Sequence, residues 1–341
     1  MAKIAKALIP IYILLLFLSI NISKVAANDE LVGYSVRAII PQNQIKKDIT
    51  YFDLLVEPNQ EQVINVEIFN SSQEDIEIDV YITNPKTNRN GIIDYTDIKA
   101  KPDESLKVPI TEIATIQQKT VAVPKGETRI VPINLKIPEK EFAGTILGGI
   151  YFEKKMKDTE KKSEGVQILN KYSYVLGLKL TENKQKIEPE LNLQSVKPEL
   201  VDYHTSIIAK LQNTTPVIVE NLAINAIVYN SKGIEENRLE VEGYKMAPVS
   251  TMDVVIDWKN RELKPGKYTL KLHANSGSNN WDWEETFNIE KEEAQAINEK
   301  AIEITKDYTV YIVVGFSTIT LLLLGIIILL LRKNNRLKKD K

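Results

Sequence analysis

From Tyr51 to Ile289, apolar residues recur at every second position in run after run. Ile64, Val66 and Ile68 alternate with Asn65 and Glu67. Ile76, Ile78, Val80 and Ile82 alternate with Glu77, Asp79 and Tyr81, and Val131, Ile133, Leu135 and Ile137 with Pro132, Asn134 and Lys136. A period of two sends successive side chains to opposite faces of an extended chain, so each run predicts a half-buried strand. Turn chemistry separates the runs, as in Glu57-Pro58-Asn59, Asn70-Ser71-Ser72, Pro124-Lys125-Gly126 and Pro138-Glu139-Lys140. Many short strands with turns between them predict a β-sandwich rather than a βαβ fold. Pro132 has no N–H to donate, so its strand should lie at an edge or carry a bulge, and an edge can accept a partner's strand.

A second alternating series follows the polar stretch TENKQKIEPE, whose Pro189 marks a boundary near residue 185. It runs through Ile207, Ala209 and Leu211, through Leu222, Ile224, Ala226 and Val228, through Met252, Val254, Ile256 and Trp258, and through Tyr268, Leu270 and Leu272. In LKPGKYTLKLHA a strand follows a Pro-Gly turn, as in many immunoglobulin-like modules. The expected fold is therefore mainly β, with two tandem immunoglobulin-like β-sandwich domains over residues 28–184 and 185–290. Within the first, EKKMKDTEKKSEG is charged and aperiodic and predicts a mobile, solvated loop joining TILGGIYF to YSYVLGLKL. The segment EKEEAQAINEKAIEITKD holds good helix formers with no Gly or Pro and predicts a helical stalk over 291–309.

The two ends set an expected location. Lys3 and Lys6 precede an apolar run from Ala7 to Ile20 and the small residues Val25-Ala26-Ala27, the pattern of a secretory signal peptide over 1–27. The run from Val310 to Leu331 is long enough to cross about 30 Å of hydrocarbon as one transmembrane helix. Arg332, Lys333, Arg336, Lys338, Lys339 and Lys341 follow it, so the positive-inside rule puts a basic tail, 332–341, in the cytoplasm. No LPxTG-like pattern precedes the apolar run. The expectation is a single-pass protein of the cell membrane with Asn28 to Tyr308 outside.

Composition narrows the function classes. With 44 basic and 46 acidic residues, the formal charge of −2 offers no general attraction to nucleic acid. The absence of cysteine removes disulfides, thiolate catalysis and Cys-based zinc sites. Only His204 and His273 are available, and no Gly-x-Ser-x-Gly elbow accompanies them. Acids such as Asp75, Glu77 and Asp79 fall at outward strand positions, which suits a solvated face better than a glycosidase pair. Trp281 and Trp283, spaced by two, point to one face of a strand. They could stack on a sugar ring or fill the core, and core suits at least one of them. No catalytic residue, metal or cofactor is expected.

One stretch, TNPKTNRNGIIDYTD from Thr83 to Asp97, resembles a calcium loop because of its oxygen-bearing side chains. With Gly91 at the sixth position of an EF-hand pattern, Asn88, Asn90 and Asp97 fall at ligand positions, but Lys86 stands at the first and the flanks are strands. Asn90-Gly91 can instead make a tight turn with positive φ.

Taken in order, these segments resemble the WxL-interacting protein family of Gram-positive bacteria. YFDLLVEPNQEQVINVEIFNSS, TNRNGIIDY, ILGGIYF and YSYVLGLKL resemble its first domain, described as peptidoglycan-binding. LQNTTPVIVENLAINAIVYN, YKMAPVSTMDV, LKPGKYTLKLHA and WDWEETFNI resemble its second, described as host-binding. One departure is Val249, where the family usually has Asn in Met-Ala-Pro-Asn-Ser. The resemblance implies a non-enzymatic, membrane-anchored scaffold or adhesion protein. Its partners would be a secreted WxL-domain protein, peptidoglycan and host extracellular matrix. It also makes the 84–97 loop a characteristic feature of the first domain, expected to contribute Asn88, Asn90, Asp94 and Tyr95 to partner recognition. The alternative is a wall-glycan lectin or glycosidase using surface carboxylates or Trp281 and Trp283.

Overall fold

The computed structural model describes residues 33–156, 171–183, 185–304 and 314–328. The expected signal peptide, most of the charged loop and the basic tail lie outside the described residues.

The first series forms β1 (Tyr34–Ile39), β2 (Phe52–Leu55), β3 (Glu61–Asn70), β4 (Ile76–Thr83), β5 (Lys86–Thr87) and β6 (Ile93–Asp94). A short helix, α1 (Ile110–Ile113), precedes β7 (Ala114–Ile116), β8 (Thr120–Val123), β9 (Thr128–Lys136), β10 (Ile146–Lys154) and β11 (Ser173–Thr181). A four-stranded sheet, β1-β3-β9-β7, packs on a five-stranded one, β2-β11-β10-β4-β8, while β5 and β6 pair only with each other. The inward members of each alternating run, including Ile64, Ile68 and Ile133 on one sheet and Ile78, Phe152 and Leu178 on the other, join one buried core. All pairings in the sandwich are antiparallel except β2 with β11, which is parallel over Phe52–Leu55 and Leu178–Thr181.

Pro132 sits where β9 changes character. β7 pairs with β9 only at Ile133, Asn134 and Leu135, so β9 is internal there and an edge from Pro132 towards its start.

The second series forms β12 (Leu191–Val201), β13 (His204–Asn213), β14 (Val219–Asn230), β15 (Glu235–Met246), β16 (Ser250–Asp257), β17 (Gly266–Ser276) and β18 (Asn279–Ile289). A three-stranded sheet, β12-β13-β16, faces a four-stranded one, β15-β14-β17-β18. Leu211, Ile224, Ile256 and Leu270 lie in the core between them.

Each sandwich has a corner of the same design, which no alternation reveals. At the end of β3, Asn70 is fully buried; its amide donates to the carbonyls of Glu74 (2.8 Å) and Val123 (2.9 Å). Its Oδ1 accepts from the N–H (3.0 Å) and hydroxyl (2.7 Å) of Ser72. At the end of β13, Asn213 repeats the arrangement with the carbonyls of Val217 (2.7 Å) and Ala247 (2.9 Å) and with Thr215. The stretches Asn-Ser-Ser and Asn-Thr-Thr are thus equivalent anchors, each satisfying carbonyls that burial would otherwise leave unpaired.

The expected stalk differs from its prediction. Helix α2 spans Lys291–Lys300 and lies on the second sandwich instead of projecting from it, because Ala294 and Ile297, three apart, share an apolar face that packs on the core. Asn298 fastens it by exchanging two hydrogen bonds of 2.9 Å with the backbone of Leu263. Residues 314–328 are helical with exposed side chains. No helix among the described residues is long and apolar enough to cross a membrane. The flanks of the apolar run, 310–313 and 329–331, lie outside the described residues.

Candidate functional site

The 84–97 loop is a hairpin built on β5 and β6. Asn88 makes its turn: its Oδ1 accepts from the N–H of Asn90 (3.0 Å) and Ile92 (3.1 Å), while Gly91 N–H donates to Asn88 C=O (3.0 Å). Gly91 holds φ at 66°, the left-handed region where a side chain is strained. Lys86 Nζ stands 2.8 Å from Asp97 Oδ2 and 3.9 Å from Asp94 Oδ2, so an ammonium occupies the ground between the two carboxylates. Its hydrogen bond holds the Asp97 carboxyl below the usual carboxylate range. Asp94 Oδ1 accepts from the N–H (2.8 Å) and hydroxyl (2.7 Å) of Thr96. Among the described residues, no cluster of three or more His, Asp or Glu is placed to hold a metal ion.

Tyr95 fastens the hairpin to the first sandwich. It lies over Gly149, where any Cβ would come 2.7 Å from Tyr95 Cβ and 2.7 Å from Thr83 Oγ1. The Thr83 hydroxyl donates to Tyr95 C=O at 2.7 Å. The glycines of ILGGIYF are therefore seats: Gly149 for Tyr95 and Gly148 for Ile110. Burial, reinforced by nearby Tyr51, pushes the Tyr95 phenol up from 10.0 to about 12. A phenol whose pKa rises on folding keeps its proton better when folded, so its contribution is complete below pH 10 and is lost as pH climbs to about 12. Titrating stability from pH 9 to pH 12 should show a fall that is shallower in Tyr95→Phe.

The far side of the hairpin meets the second sandwich. Thr87 Oγ1 accepts the N–H of Ala247 at 2.9 Å and lies 2.7 Å from Ser250 Oγ. Ser250 gives its own proton to Ala247 C=O at 2.8 Å, which makes Thr87 the donor between the two hydroxyls. Both are buried. Gly91 C=O accepts the N–H of Lys245 at 2.7 Å, and the Gly91 backbone rests on Tyr244 so closely that a Cβ would fall 2.0 Å from Tyr244 Cγ. Thr145 N–H donates to Pro216 C=O at 2.7 Å, and Arg89 forms an ion pair with Asp202. TNRNGIIDY and YKMAPVS, about 150 residues apart, thus form one interdomain seam with LQNTTP beside it.

Val249 stands in this seam with φ at 45°, its N–H bonded to Thr215 C=O at 3.1 Å. A β-branched residue is strained there, whereas Asn tolerates the left-handed region. Val249→Asn should raise thermal stability by about 1 kcal/mol, as read by calorimetry.

Beside the seam lies a cleft of about 660 Å³ with Tyr51, Ile92, Tyr95, Val175, Ile218 and Lys245 among its walls. The expected recognition residues divide across these surfaces. Asn88 and Asp94 hold turns, Tyr95 seals the first domain's face, and Asn90 is exposed at a smaller recess shared with Asp202 and His204. Trp281 and Trp283 are half-buried against the second core on the edge strand β18. His273 is exposed and lies 2.8 Å from Asp282. Thr87, Tyr244, Lys245 and Ser250 have no local signature in the sequence beyond their place in segments resembling the family.

A family model described as WxL Interacting Protein, peptidoglycan binding domain, matches residues 34–154, and another, WxL Interacting Protein, host binding domain, matches residues 163–299. No curated protein matches the chain. Similar solved structures include the CsuC–CsuE chaperone–tip adhesion subunit pre-assembly complex of Acinetobacter baumannii, at 11% identity and a TM-score of 0.35, covering 74% of this chain and 97% of that one. They also include the YadV chaperone, at 9% identity and a TM-score of 0.28, covering 75% of this chain and 100% of that one.

Proposed function

Because this chain belongs to the WxL-interacting protein family, we propose that it is a non-enzymatic cell-surface scaffold. Its first domain holds a WxL-domain protein, peptidoglycan or both; its second faces outward partners, including host extracellular matrix. The apolar run 310–331 anchors it in the cell membrane with both sandwiches outside and the basic tail in the cytoplasm. The observation that carries this reading is the pair of binding-domain matches over 34–154 and 163–299. The seam supports it physically, since hydrogen bonds accepted by Thr87 Oγ1 and Gly91 C=O and donated by Thr145 N–H join the two domains and let a load on one reach the other.

Stable protein contacts bury about 1,200 to 2,000 Å² in total, so strand faces of the first sandwich must share in any such interface. Immobilised full-length chain should capture a secreted WxL-domain protein from an extract of the producing cell. Capture of none, with the chain folded, would remove that partner from the account.

A further inference from the structure

The cleft wall contains an open strand edge. β11 pairs with β10 from Ser173 to Leu180, but its other side meets β2 only from Leu178 onward. Thr181 C=O accepts the N–H of Val56 at 3.0 Å, so the backbone of Thr181 faces the β2 side. Strand periodicity then aims Lys179, Gly177, Val175 and Ser173 the same way. Past the start of β2 at Phe52, the N–H and C=O of Val175 and Ser173 meet no described strand. Val175, Leu176 and Gly177 all line the cleft, and Tyr51 rests on the face of Gly177, 3.6 Å from where its Cβ would stand, so the cleft reaches this stretch of β11 at the point where β2 begins.

Exposed edges are usually blunted by lysines that point across them. Here Lys179 is drawn to Asp53 of β2 at 3.2 Å and Lys171 to Glu153 of β10, which leaves both cations engaged at the ends of the open stretch. The same edge already accepts a strand: β2 occupies its second half in parallel register.

We propose that residues 173–177 of β11 accept an extended polypeptide strand from a WxL-domain protein, laid along the line of β2, with alternate side chains entering the cleft beside Tyr51 and Ile218. This rests on the functional reading above and supplies its site: main-chain pairing gives affinity, and the cleft walls select side chains.

The test uses full-length chain in detergent micelles and a purified WxL-domain protein from the producing cell. Val175→Pro removes one outward N–H without touching the β10 ladder, which the even-numbered residues make, and proline is tolerated on an edge. It should weaken binding about tenfold, while Val175→Thr, which keeps the N–H, binds like the unaltered chain. Hydrogen exchange on the unaltered chain gives a second reading that does not depend on the proline variant folding: the Val175 amide should slow at least about tenfold on complex formation. Binding that survives Val175→Pro with the Val175 amide unchanged overturns the edge proposal alone. No binding by the unaltered chain overturns both this proposal and the WxL-partner reading.

Discussion

Replacing Gly91 with alanine will make the two domains unfold separately. Gly91 sits at φ 66° with its backbone against Tyr244, and the added Cβ would stand 2.0 to 2.4 Å from three carbons of that side chain. The left-handed conformation alone costs about 1 to 2 kcal/mol for an alanine, and overpacking of this kind about 1 to 3 more. Tyr244 cannot withdraw without pulling on the Lys245 N–H that binds Gly91 C=O, so the strain falls on the seam. All three tryptophans, Trp258, Trp281 and Trp283, belong to the second domain and report its unfolding alone, whereas far-ultraviolet circular dichroism reports both. In urea the two signals should coincide for the unaltered chain and part in Gly91→Ala. Coincident transitions in the variant would mean that the hairpin does not couple the domains.

The buried asparagines carry the second large effect. Asn70→Ala and Asn213→Ala each remove the donor to two carbonyls, one of them deep in the domain, and the acceptor for a neighbouring N–H and hydroxyl. Each unsatisfied buried group costs about 1 to 3 kcal/mol, so a loss of roughly 3 kcal/mol is expected at either position. The two variants should differ in where the loss appears. Asn213 holds Ala247, whose N–H reaches Thr87 across the seam, so Asn213→Ala should move the tryptophan transition and loosen the interface. Asn70→Ala, with the seam intact, should lower both transitions together; in the Gly91→Ala background, where the domains unfold separately, it should shift the dichroism transition and leave the tryptophan midpoint of that background in place. Equal shifts in both signals for both variants in that background would count against separate corner anchors.

How far the chain could be read from its sequence depended on the range of the cause. Alternation at Ile64–Ile68 or Met252–Ile256 is local, and each run became a strand with the expected face inward. Pro132 was legible as a break in pairing because a missing N–H is a property of one residue. The stalk was half legible: helix propensity marked α2, but the burial of Ala294 and the Leu263 partner of Asn298 depend on the sandwich it lands on. The seam was not legible. Asn88, Gly91 and Asp94 are satisfied by a turn when viewed alone, and nothing local in YKMAPVS shows that its backbone pairs with residues about 150 positions earlier. Val249 is instructive in the same way: the departure from the usual Asn was visible, but its consequence required φ.

The candidate recognition residues show the same limit. Oxygen-bearing side chains that suggest a ligand site are spent on the hairpin itself, on Lys86 and on Thr96. The open edge of β11 has no side-chain signature, because what it offers is backbone.

The most direct measurement of the central claim is sedimentation of the full-length chain with purified peptidoglycan, with the supernatant assayed for released muropeptides. The account predicts that the chain pellets with the wall in a saturable manner and that no soluble fragments appear. A chain that remains in the supernatant, or one that pellets and steadily solubilises the wall, would contradict a peptidoglycan-binding scaffold without catalytic activity.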